Sequence, residues 1–83
     1  MSVNYVLIAK EQDGFEIKNY NVVSVGQDEV ETLHDVAISF LQLAKEQELN
    51  VELYLEAYEF GKFVEYARYE PYTDEFVSLT VNY

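Results

Sequence analysis

Glu52, Tyr54, Glu56 and Tyr58 alternate along one stretch of the chain, and a turn at Phe60-Gly61 brings Glu65 and Tyr69 back beside them. On a strand, residues two apart share a face, so these side chains form a row of carboxylates and phenols. Carboxylates in such a row meet Lys and Arg of a partner, and tyrosines supply rigid contact area. In a two-residue hairpin register Glu59 faces Lys62, Tyr58 faces Phe63, Glu56 faces Glu65, Tyr54 faces Ala67 and Glu52 faces Tyr69. That register predicts Glu52, Tyr54, Glu56, Tyr58, Phe63, Glu65 and Tyr69 on one sheet face. Two opposed carboxylates, Glu56 and Glu65, repel unless solvent or a cation relieves them. The plainer reading is a solvated face in which tyrosine serves β-propensity. Large aromatics clustered on an inert surface are uncommon, which favours recognition.

A second acidic group lies in the stretch 28–48. Asp28, Glu29 and Glu31 fall in a first helical turn, where the macrodipole welcomes negative charge, so structure alone accounts for them. Asp35 is a turn further on, and Glu31 and Asp35 are separated by about 6 Å of helical rise. That spacing is comparable to the phosphate spacing of a nucleic-acid strand. Glu31 and Asp35 therefore join the candidate partner-binding residues. His34, the single histidine, sits at the edge of an apolar stripe and reads as a boundary residue. No His-x-x-His, Cys-x-x-Cys or calcium-loop pattern accompanies it, so no metal and no cofactor is expected. A Ser-His pairing, a Gly-rich phosphate loop and a nucleotide fingerprint are all missing, and enzyme activity is not expected.

These groups need a scaffold to hold them. Val3 to Ala9 alternates weakly and reads as a strand, Asp13-Gly14 as a tight turn, and Phe15 to Val25 as the returning strand. The alternation slips near Tyr20-Asn21, which predicts a bulge there. Asp28 to Glu48 reads as a helix, with Asp28 at the N-cap and Glu31 completing a capping box. Val30, Leu33, Ala37, Phe40, Leu41 and Ala44 make its apolar stripe. Asn50 is the expected stop. Val51 to Ala57 and Phe63 to Tyr69 read as a hairpin, although Leu53, Ala57, Phe60, Val64 and Ala67 also match helical spacing. Pro71 to Asp74 marks a further turn, before a last strand from Phe76 to Asn82. The expected fold is α+β: a single domain over 1–83, with an antiparallel sheet of about five strands and one helix packed on one face, in the order ββαβββ.

Composition sets the class of partner. Sixteen acidic residues stand against five basic ones, for a formal charge of −11. Residues 1–27 carry −1, residues 28–48 carry −5 and residues 49–83 carry −5. The excess repels nucleic acid and anionic membranes, and attracts cationic protein surfaces. With 49% apolar residues and 13 aromatics (eight Tyr, five Phe), the chain folds despite its charge. It has no cysteine, and its N-terminal stretch has no signal-peptide pattern, so a cytoplasmic setting is expected. In charge, length and cysteine-free makeup, though in no motif, the chain resembles small acidic inhibitors of phages and mobile elements: DNA mimics and inhibitors of CRISPR effectors or restriction enzymes. The resemblance implies a binding protein that occupies the basic nucleic-acid site of a partner enzyme. Two alternatives are an immunity protein against a basic nuclease toxin and a self-associating module, possible as a homodimer through an exposed strand edge or the Tyr-rich sheet.

Overall fold

The structure, a computed structural model, describes residues 3–79. Five strands form one antiparallel sheet: β1 (Val3–Asp13), β2 (Glu16–Gly26), β3 (Asn50–Glu59), β4 (Lys62–Glu70) and β5 (Glu75–Ser78). Their spatial order is β2-β1-β3-β4-β5, and a single helix, α1 (Thr32–Glu46), carries the chain from edge strand β2 to β3. The architecture is α+β, as the sequence pattern predicts. Segment 51–69 is a hairpin, not a helix, because Phe60 (φ 50°) and Gly61 (φ 79°) both take the left-handed turn that matches strand twist. No helix among the described residues is long and apolar enough to cross a membrane.

The core is one layer thick. Leu7, Leu33 and Leu53 are completely enclosed, joined by Ala9, Ala37, Leu55, Ala67 and Tyr69. Alanines under the helix let it approach the sheet, and the leucines fill the space between. Val30, Val36, Phe40 and Leu41 close the margins from the helix, and Tyr5, Val23, Val25 and Phe76 do so from the sheet. No charged side chain among the described residues is buried, so all sixteen acids lie at the surface.

Two bulges set which side chains enter this core. In the β1–β2 pair Leu7 faces Val23 and Ile8 faces Asn21, leaving Val22 as the extra residue. The shift keeps Tyr20, Val23 and Val25 all on the helix side, one or two residues from the predicted slip. In the β3–β4 pair Tyr58 faces Phe63 but Ala57 faces Glu65, so Val64 is extra. One inserted residue flips every later side chain to the other face. Without it, Arg68 would point beneath the helix, where an unpaired charge is costly, and Ala67 would point to water.

The helix ends differ from expectation. Asp28 lies inside a 3₁₀ turn, Gln27–Glu29, and the α-helix starts at Thr32. The N–H groups of Val30, Leu33 and His34 reach carbonyls three residues back, at Gln27, Val30 and Glu31. The lead-in turn thus satisfies donors that an Asp28 cap would have taken. At the other end Glu48, not Asn50, takes the left-handed conformation (φ 57°). Leu49 N–H bonds Ala44 O at 2.8 Å and Glu48 N–H bonds Lys45 O at 3.1 Å, a Schellman closure, and Asn50 already begins β3. Among the described residues the last strand runs from Glu75 to Ser78; Thr80, Val81 and Asn82 of the predicted strand lie outside them.

Two outcomes follow. Leu53→Ala should lower unfolding free energy by about 2–5 kcal/mol in urea titration; a smaller loss would show that the core is not centred there. Glu48→Gly should raise it by about 1 kcal/mol by relieving the left-handed penalty. An unchanged midpoint would contradict the assigned closure.

Candidate recognition surfaces

The face of the sheet away from α1 is built from alternate residues of every strand. At its centre the Tyr54 and Tyr66 rings stack, with centroids 5.3 Å apart and planes 6° from parallel. Lys10 of neighbouring β1 lays its Nζ over Tyr54, 4.4 Å from the ring centre, and 5.8 Å from that of Tyr66. Phe63 extends the aromatic row, packing edge-on against Tyr58 at 5.9 Å and tilted against Tyr66 at 6.5 Å. Ile8, Lys10, Asn19, Glu56, Phe63, Tyr66 and Leu79 line an open concavity of about 600 Å³ on this face.

The carboxylates here are already engaged. Tyr54 O–H donates to Glu52 Oε2 at 2.7 Å, and Arg68 Nη2 lies 3.8 Å from Glu52 Oε1. Tyr58 O–H donates to Glu56 Oε1 at 2.9 Å. Each bond holds the phenol proton, so Tyr54 and Tyr58 are pushed above the ordinary tyrosine value, first by that hydrogen bond and next by desolvation. Lys10 is also raised, chiefly by its bond to the Tyr66 hydroxyl, with desolvation opposing and Tyr66, Tyr54 and Glu52 adding attraction. The face is a mixed-charge aromatic platform.

Glu52, Tyr54, Glu56 and Tyr58 therefore sit together as predicted, and the Tyr58–Phe63 and Glu59–Lys62 pairs form. Glu65 and Tyr69 do not join them. The extra residue at Val64 sets Glu56 opposite Tyr66 and turns Glu65 to the helix side, which removes the expected carboxylate pair. Tyr69 is turned into the core and is 3% exposed. Lys10, Tyr66 and Arg68 take their places on the platform. Sequence reasoning missed Lys10 because its position depends on β1 lying next to β3. It missed Tyr66 and Arg68 because of the bulge, although the Ala67-Arg68 order, small apolar then charged, signals which of the two faces the core.

Tyr69 instead anchors the β4–β5 turn. Its hydroxyl donates to Asp74 Oδ1 at 2.5 Å, and the same oxygen lies 3.1 Å from His34 Nδ1 on the helix. Phe76 packs against both rings, 5.1 Å from His34 and 5.0 Å from Tyr69. His34 is thus a boundary residue that ties the helix to the turn. The Tyr69 hydroxyl and then His34 hold Asp74 below the ordinary carboxylate range. Burial, then the bond to Asp74, pushes Tyr69 up to about 12.

The helix layer is far more negative. Glu31 and Asp35 are both exposed on it. Assigned by register and element, the helix side carries twelve acids and three bases, Lys18, Lys45 and Lys62, for −9. The outer face carries Glu52, Glu56, Glu70 and Glu75 against Lys10 and Arg68, for −2. Beside Asp35 an apolar groove of about 340 Å³ runs along Val36, Ser39, Phe40 and Leu43. Among the described residues, no three His, Cys, Asp or Glu side chains are placed to hold a metal ion.

No protein-family model matches the chain, and no curated protein or solved structure is detectably similar to it.

The anchor has a pH signature. Asp74, lowered in the fold, contributes stability above about pH 4 that is lost as pH falls further; Tyr69, raised in the fold, contributes below about pH 10 and loses it towards 12. The stability gap between the native chain and Tyr69→Phe should therefore be widest near neutrality and narrow at both extremes. Urea titrations of both proteins across pH test this, and a gap that stays flat would contradict the Tyr69–Asp74 bond.

Proposed function

We propose that this protein is a small non-enzymatic inhibitor that occupies the basic nucleic-acid-binding site of a partner protein, using the acidic surface of its helix layer. The observation that carries the reading is the uneven charge: −9 on the helix side against −2 on the outer face. A charge needed only for solubility has no reason to gather on one side. Gathered there, it produces a directed field that steers a cationic groove onto α1 and speeds association.

Glu31 and Asp35 lie exposed at the start of α1 on this surface, and their carboxylates take the role of phosphates. The adjoining groove at Val36, Phe40 and Leu43 supplies apolar contact that salt does not screen. Glu52 and Glu56 are less suited to the role, since each already accepts a tyrosine hydroxyl.

The test is affinity capture from a lysate with immobilised protein, followed by challenge with duplex DNA and with salt. Captured proteins should bind nucleic acid, and both about 0.3 M salt and excess duplex should release them. A Glu31→Gln, Asp35→Asn double variant, expected to fold normally because both side chains are exposed, should capture at least about ten-fold less. Capture that survives duplex and salt, or that the double variant retains in full, would refute the reading.

A further inference from the structure

We infer that the outer sheet face is the interface of a symmetric homodimer, in which two copies stack sheet on sheet and leave their helix layers pointing outward. The residues that would meet are those of the aromatic platform. Phe63 is 53% exposed, Val77 49% and Leu79 46%; all three lie on this one face, Phe63 and Leu79 beside Tyr66 and Val77 opposite Arg68. Exposed apolar area of this extent, with Tyr and Arg at its centre, has the composition of an interface core.

Area and charge both select a second copy as the occupant. Five strands at about 4.8 Å and about nine residues at 3.3 Å give a face of about 700 Å² per copy. Doubled, that is about 1,400 Å², within the range of stable interfaces. The face is also self-complementary. It holds two cations, Lys10 and Arg68, against Glu52, Glu56, Glu70 and Glu75, for only −2, and a two-fold rotation can oppose cation to carboxylate. Face-to-face stacking further separates the two −9 layers by both sheets, whose own spacing is about 10 Å, already a Debye length at physiological salt. The competing arrangement, antiparallel pairing of edge strand β2 with its copy, would place both acidic layers on the same side of one continuous sheet. Repulsion disfavours it.

Sedimentation equilibrium tests this, at about 1 µM to about 1 mM protein in about 0.15 M salt. The mass should rise from 9.7 kDa towards twice that value. Phe63→Glu should weaken the dimer at least about ten-fold. Leu43→Glu, which adds the same charge at a position 56% exposed on the helix side, should leave it within about two-fold. Val77→Glu provides a second probe of the face if circular dichroism shows that Phe63→Glu is unfolded. The Glu31→Gln, Asp35→Asn variant should dimerise like the native chain, so this inference and the inhibitor reading fail separately. A 9.7 kDa species throughout would overturn the inference. So would a dimer indifferent to Phe63→Glu and Val77→Glu, or one weakened equally by Leu43→Glu.

Discussion

Alternate side chains of a strand point to opposite faces, so the extra residue at Val64 determines the character of both surfaces of this sheet. It puts Ala67 and Tyr69 beneath the helix and sends Tyr66 and Arg68 outward. With Ala67 in the core, β4 adds a small apolar side chain to the helix side; with Tyr69 in the core, a phenol reaches Asp74 and fixes the β4–β5 turn to His34. With Tyr66 outward, a partner exists for the Tyr54 ring, and the Lys10 ammonium gains a second aromatic surface. Shifted back by one residue, β4 would bury a guanidinium and expose an alanine. The core of so small a chain has no surplus stabilisation to absorb that.

The same parity separates charge. Positions that alternate on β1, β3 and β4 gather aromatics, Lys10 and Arg68 on the outer face, where Glu52 and Glu56 are engaged by tyrosine hydroxyls and one guanidinium. Twelve of the sixteen acids lie on the helix side, on the lead-in turn, on α1, on the strands and at the turns, and leave that side at −9. A molecule with one mixed aromatic face and one strongly negative face has two physically distinct ways to bind. The first is driven by apolar area and tolerates salt; the second is driven by field and does not.

Much of the architecture is legible in the residues because the helix stripe from Val30 to Ala44 and the alternation from Val51 to Ala57 have unmistakable periods. The hairpin at Phe60-Gly61 is legible from its glycine, and the bulge in β2 from the slip in alternation near Tyr20-Asn21, one or two residues before Val22. The β4 bulge is hidden because Phe63, Val64 and Tyr66 are all plausible on either face, and only the Ala67-Arg68 order marks the parity. The helix start is misread because a 3₁₀ turn, through the Gln27 carbonyl, satisfies the Val30 N–H that an Asp28 cap would have taken. Of the candidate site, the Glu52–Tyr58 row and the exposed Glu31 and Asp35 can be read directly. Lys10 cannot, since pairing of strands forty residues apart leaves no local trace. The partition of charge between faces is likewise invisible until the register is known.

The account rests on the helix layer being the surface that meets positive charge. Backbone amide shifts, followed by NMR while an oligo-arginine peptide is titrated in, address that directly. The account predicts saturable changes concentrated between Asp28 and Glu48 and suppressed by about 0.3 M salt. Changes centred on Tyr54 and Tyr66, or spread evenly over both faces, would contradict it.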